Sequence, residues 1–148
     1  MDDDTGPGLD QRYLQELRER IDRSAFHGWV GISVGNVAEG SSELVLDLQP
    51  HHFNPQGIVH GGIISLMADT AIGLALRSRL RAGLTHRTAQ LNVHFVASTK
   101  GGRVVARGRA LHSGQRMGYG EAEVHDGEGK LLSRASATFI ILPAPGAF

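Results

Sequence analysis

Apolar residues recur along this chain with two different periods, and the switches between them outline a fold. Tyr13, Leu17 and Ile21 stand four residues apart among Arg and Glu over residues 9–24, which predicts a short amphipathic helix. Gly28 and Gly31 surround Trp29 and lead into a first strand over residues 32–37. Glu39-Gly40-Ser41-Ser42 reads as a hairpin turn, and residues 43–48 then alternate, with Leu44, Leu46 and Leu48 on one side, as a half-buried strand does. A loop with two prolines, residues 49–57, precedes the long apolar segment 61–80. That segment is apolar almost all round, the pattern of a buried helix. Within it Ser65, Asp69 and Gly73 recur every four residues and form one narrow stripe. Four strand-like runs follow, over 88–96, 103–112, 118–125 and 131–142, separated by Gly-containing turns. In the first of them Gln90, Asn92 and His94 fall on one face, and Leu91, Val93 and Phe95 on the other.

The order is helix, two strands, long apolar helix, four strands. Short turns join antiparallel neighbours, and a lone apolar helix needs a sheet to bury it. The expected fold is therefore α+β, a curved antiparallel sheet wrapped around a long central helix. At 148 residues the chain fits one domain. The expected limits are a disordered N-terminus over residues 1–8, a single domain over 9–142 and a frayed tail over 143–148.

Composition narrows the chemistry. The chain has no cysteine, which excludes disulfides, thiolate metal sites and Cys nucleophiles. The start, Met-Asp-Asp-Asp-Thr-Gly-Pro, is acidic rather than signal-like. The longest apolar stretch is interrupted by Asp69 and short for a bilayer span. A cytoplasmic protein with no membrane partner is expected. The net charge of zero conceals a segregation: residues 48–120 hold nine Lys or Arg and one acid, Asp69. A basic middle with one isolated carboxylate suggests an anionic ligand brought to that carboxylate. Few aromatic residues and zero net charge argue against nucleic acid. His51, His52 and His60 lack the spacing of a metal site, and neither a metal nor a cofactor is expected.

Three features converge on one kind of chemistry. The run from Gly57 to Gly62 leads into a helix N-terminus, where free backbone N–H groups and the helix dipole stabilise a negative oxygen. Gly61 and Gly62 let a substrate carbonyl approach the backbone closely. Asp69 follows eight residues later, and Asn54 offers an amide from the loop. Eight helical residues separate Gly61 from Asp69 by roughly 12 Å along the axis. Both cannot touch one carbonyl group within a single chain. If they cooperate, two chains supply them, with their helices antiparallel across a two-fold axis.

The run Asn54-Pro55-x-Gly57-x-x-His60-Gly61-Gly62, followed after six residues by Asp69-x-Ala71, resembles the signature of hotdog-fold acyl-CoA thioesterases of the PaaI type. Thr88-x-x-Leu91-Asn92-Val93-x-Phe95 is similar to the strand after the helix in that family. The turn Ser113-Gly114-Gln115-Arg116 and the closing strand with Ala135-x-Ala137-Thr138-Phe139 also look like it, so the resemblance covers roughly residues 28–142. It implies a hotdog fold and hydrolysis of an aromatic or medium-chain acyl-CoA. It gives Asp69 the role of general base or nucleophile, and the Gly61 N–H of the partner subunit that of polarising the carbonyl. Asn54 would position the carbonyl or the water, His60 would brace the loop near the thioester, and Thr88 would help hold the water. Gly62 would line the substrate site, with Lys100, Arg103 and Arg116 as candidates for the CoA phosphates. It also implies a homodimer paired into a homotetramer. A branch of the family carries Glu at a comparable helix position and a hydroxyl one turn later. This chain has Asp69 and Gly73 and depends on Thr88 instead.

Plainer roles stand beside these. Asn54 can cap the turn before Pro55, His60 can be structural, and Thr88 can be an ordinary strand residue. Arg103, Arg107 and Arg109 read foremost as a solvated strand face. Two other functions compete: a hotdog enoyl-CoA hydratase or dehydratase, for which no suitably placed catalytic His stands out, and a non-catalytic acyl-CoA-binding protein.

Overall fold

The computed structural model describes residues 11–146. The expectation for residues 1–8 lies outside the described residues, as do positions 147 and 148. Helix α1 (Gln11–Asp22) turns Leu14 and Leu17 inward. A second helix, α2 (Ala25–Val30), occupies a stretch the sequence pattern left as a glycine-flanked approach to the first strand. It is too short to show a helical period. Its ends carry the signal instead: the Ser24 hydroxyl accepts from the His27 N–H at its start, and Gly31 closes it at φ 96°.

Strands β1 (Ser33–Ala38) and β2 (Ser41–Asp47) form a hairpin. Its turn is Glu39-Gly40 alone, two residues tighter than expected, because Gly40 takes a positive φ of 70°. One turn of 3-10 helix, Pro50–His52, shapes the proline loop. Helix α3 spans Gly61–Arg77 and so ends three residues before the expected Leu80. Strands β3 (Leu84–Phe95), β4 (Arg103–Ser113), β5 (Met117–Asp126) and β6 (Leu131–Pro143) complete the sheet. β3 starts four residues earlier than alternation alone indicates. Past the expected end of the domain, β6 continues through Pro143, and the Ala144 N–H donates to the Gly83 carbonyl at 2.8 Å.

All neighbours are antiparallel, and the strand order is β1-β2-β4-β5-β6-β3. The sheet holds α3 against one face, which is the hotdog arrangement. Met67, Ala68, Ala71, Ile72, Ala75 and Leu76 are fully buried against Leu44, Leu46, Val104, Val124, Leu132 and Phe139. Glycines inside the strands set how close the helix lies. A Cβ at Gly108 would stand 2.3 Å from the Ala71 carbonyl oxygen, and one at Gly118 would stand 2.5 Å from Leu76. These glycines are a packing seam under α3, whereas the sequence pattern associated glycine with turns.

Part of the charge segregation along the chain dissolves in the fold. Arg103 pairs with Asp47 at 2.8 Å, Arg107 with Glu43 at 2.9 Å, and Arg109 lies 3.8 Å from Glu121. Acids from β2 and β5, outside the basic stretch in sequence, thus lie across β4 from its arginines. Three of the stretch's nine cations, all on β4, are thus committed to ion pairs on a solvated face of the sheet. No helix among the described residues is long and apolar enough to cross a membrane.

Candidate active site

Asp69 sits midway along α3, half-buried, with fully buried neighbours on either side of its turn. The Thr88 hydroxyl donates to its Oδ1 at 2.8 Å. Strict alternation along β3 would put Thr88 on the same face as Gln90, away from the helix. A β-bulge at Ala89 prevents this: Thr88 pairs with Phe139 while Gln90 pairs with the next residue, Thr138. Directly paired residues share a face, and Phe139 points into the core. The bulge shifts the phase of the strand and aims Thr88 at Asp69, a known use of bulges beside sites.

Asp69 and Thr88 open onto a cavity of about 290 Å³ between α1, α3 and β3, whose walls include Leu17, Gly73, Leu74, His86 and Phe139. His86 went unnoticed in the sequence, where it stands among polar residues with no motif around it. In the fold it meets the Phe139 ring edge-on at 4.9 Å. It occupies space that a side chain at position 73 would crowd, since a Cβ there would lie 3.2 Å from the His86 ring. Burial and then the Arg77 charge hold the His86 pKa below the ordinary histidine value, with the Gly73 backbone and Asp69 pulling the other way. The ring is neutral at physiological pH.

The other half of the expected site lies at the start of α3. His60 is the N-cap, and its Nδ1 accepts from the Gly62 N–H at 2.8 Å. Gly62 therefore spends its N–H within the chain. The Ile63 N–H donates to the His60 carbonyl at 3.0 Å, while the Gly61 N–H has no acceptor among the described residues. A Cβ on Gly61 would meet the exposed Phe95 ring at 3.3 Å. Asn54 uses its Oδ1 to accept from the Gln56 N–H at 2.9 Å and the Ile58 N–H at 3.4 Å. This orders the turn before Pro55 and Gly57. His52 is buried, accepts from the Gln49 N–H at 2.8 Å and donates through Nε2 to the Val30 carbonyl at 2.6 Å. Its own backbone carbonyl takes the His60 N–H, also at 2.8 Å. His52 thus holds the loop from beneath.

The structure joins Asp69 and Thr88 directly and gathers Asn54, His60, Gly61 and Gly62 roughly 12 Å away at the other end of the helix. The phosphate candidates divide as well. The Val59 N–H donates to the Thr99 carbonyl, which brings the loop carrying Lys100 next to the start of α3. Arg103 is committed to Asp47. Arg116 precedes β5, at the far end of the β4–β5 hairpin and roughly 30 Å from Arg103 by strand rise.

A family model described as the thioesterase superfamily matches residues 56–133. The chain is 24% identical to the 1,4-dihydroxy-2-naphthoyl-CoA hydrolase of Listeria monocytogenes, over 76% of this chain and 91% of that one. It is 25% identical to the medium/long-chain acyl-CoA thioesterase YigI of Salmonella typhimurium, over 78% and 84% of the two chains. Among solved structures it superposes on the PaaI protein of the E. coli phenylacetic acid degradation operon with a TM-score of 0.83, at 20% identity, covering 93% of this chain and 98% of that one. With a hotdog fold and a family match that spans the α3 start, Asp69 and Thr88, the chain belongs to the thioesterase superfamily and is a thioester hydrolase.

Proposed function

We propose that the protein hydrolyses acyl-CoA thioesters, of aromatic or medium-chain acyl groups, at sites built between two subunits. The observation that carries this reading is the Thr88–Asp69 hydrogen bond on a cavity wall, with the Gly61 N–H left without a protein acceptor on the same helix. Thr88 engages one carboxylate oxygen and fixes its orientation, leaving the other to act on water. The water oxygen attacks the thioester carbon while Asp69 takes its proton. The carbonyl oxygen becomes an oxyanion held by the N–H of Gly61 of the partner subunit, at the positive end of α3. The C–S bond then breaks, Asp69 returns the proton to the departing sulfur, and the free acid and CoA thiol leave. Attack by Asp69 itself, through an anhydride that water then opens, uses the same groups. Asn54 orders the loop that presents Gly61, and His60 fixes the first turn by taking the Gly62 N–H. Lys100, near the helix start, is better placed than Arg103 to meet a CoA phosphate.

Pairing of subunits has its own support. β3 is an edge strand of twelve residues, and a long open edge is a template for a second chain. Phe95 and Val96, at its end beside Gly61, are 58% and 62% exposed. Joining two β3 edges about a two-fold axis covers them and sets the α3 helices antiparallel. Exposed Met117 and Ile140 on the neighbouring strands give a dimer of dimers further apolar surface. A thiol-release screen over acyl-CoA esters tests the activity: Asp69→Asn should fold normally and lose hydrolysis of every ester that the wild type accepts. Full activity in that variant, or tight ester binding without thiol release by the wild type, would refute the reading.

A further inference from the structure

The stripe that carries Asp69 extends beyond it. Asp69, Gly73 and Arg77 follow one another at intervals of four on one face of α3, so Arg77 lies roughly 12 Å along the axis from Asp69. Gly73 lies on the lining between them, with the His86 and Phe139 rings packed close over it. Leu17, Ile21, Leu74 and Phe139 give the trough apolar walls, and Arg20 of α1 stands with Arg77 at its lining. The Tyr13 hydroxyl donates to the Arg77 carbonyl at 3.1 Å and pins α1 over the end of α3.

The two arginines differ from those around them. Along α1 and just past its end, Arg18 is paired with Asp22 and Arg23 with Glu19, while Glu16, one turn before Arg20, is paired with Arg12. Neither Arg20 nor Arg77 has a carboxylate partner among the described residues. Arg77 gives one N–H to the Leu84 carbonyl and remains close enough to His86 for its charge to be felt there. A half-buried guanidinium with no counter-ion is held at a cost unless a ligand supplies the negative charge. The cavity thus has a carboxylate at one end, hydrocarbon along its length and the Arg77 cation at the other, with Arg20 also on its lining.

We propose that the trough receives the acyl group and that Arg77, with Arg20 on the same lining, selects acyl groups whose far end carries a carboxylate. The inference rests on Asp69 as the hydrolytic group, because that sets which end of the acyl chain lies where. A thioester carbonyl at Asp69 directs the chain along the cavity, past the His86 and Phe139 rings, toward Arg77, and a terminal carboxylate there accepts paired hydrogen bonds from guanidinium. Repulsion from Asp69 is weak at such a separation, and the nearer Arg77 outweighs it.

The test is thiol release by the full chain from matched pairs of CoA esters of equal length, one ending in a carboxylate and the other in a methyl group. The expected kcat/KM favours the carboxylated member by about tenfold or more. Arg20→Met, at an exposed position that leaves the fold intact, and Arg77→Met should each lower that ratio toward one, with Arg77→Lys retaining part of it. Equal rates for the two members, a preference for the methyl-ended ester, or variants that slow both members alike would overturn the inference; the last result would make these arginines CoA-phosphate ligands. Asp69→Asn separates this failure from that of the hydrolytic reading. If it abolishes release from both members while the ratio in wild type is one, only the selectivity falls.

Discussion

In the proposed mechanism the two halves of α3 prepare for the same reaction in opposite ways. At its start the active groups belong to the backbone: Gly61 keeps a bare N–H because His60 has taken the one beside it, and side chains are excluded by Phe95. Eight residues on, side chains carry the chemistry, with Asp69 held by Thr88 and a roof supplied by α1. The first half offers partial positive charge and no proton transfer, the second a proton acceptor and a cavity. Each is the chemical complement of the other, and one helix cannot bring its own two halves together. On that proposal, a site is complete in one sequence and incomplete in one subunit.

The strongest way to break this comparison is to remove the second half. Asp69→Asn should lower kcat by about 10²–10⁴-fold with little change in thermal stability. A smaller loss, about tenfold, is expected for Thr88→Val, because the carboxylate keeps its position on the helix but loses a charge-assisted bond. Mixing sharpens the comparison further. Asp69→Asn and Gly61→Val are each expected to be inactive as homodimers, the second because its side chain meets the Phe95 ring that crowds a Cβ at 3.3 Å. Co-expressed, they form hybrids in which one of two sites is intact, so about a quarter of wild-type activity should return. No recovery in a verified hybrid would place both halves in one subunit.

Two expected effects concern stability. Gly108→Ala should cost about 1–3 kcal/mol in urea unfolding, because the added Cβ meets the Ala71 backbone at 2.3 Å and the backbone cannot swing aside. The smallest effect belongs to His86, whose folded pKa lies below its ordinary value. As pH falls, the unfolded chain binds that proton first. Its stabilising contribution is full above the ordinary histidine pKa and declines as pH drops through it toward the folded value. Urea midpoints at about pH 7.5 and about pH 5.5 should therefore differ less in His86→Phe than in wild type.

Much of the architecture is legible in the sequence because burial imposes a period. The α3 residues Ile64 to Leu76 are apolar on nearly every face, as a largely buried helix requires, and β2 alternates because one of its faces meets that helix. α2 has no legible period because six residues are too few, and the strand glycines at 108 and 118 give no sign of whether they turn the chain or admit a helix. Asp69 stands out since nothing near it in the chain shares its charge. Arg77 and His86 do not: their significance depends on which elements surround them, and pairing Arg107 with Glu43 across 64 positions while leaving Arg77 unpaired is a property of the sheet order. Thr88 was legible by resemblance, but its direction rests on a residue with no distinctive chemistry.

That residue, Ala89, makes β3 a strand read in two frames. Downstream of it, Leu91 and Val93 turn toward the core, and upstream of it Thr88 and His86 do. Were the bulge flattened with the downstream pairing kept, the frames would merge: Ala89 would stand opposite Phe139 and Arg87 opposite Ile141, with Thr88 turned to the outer face. In the proposed mechanism, a chain still encoding every group it needs would then leave Asp69 without its hydroxyl partner, so a change of register rather than of chemistry is enough to make the fold inert.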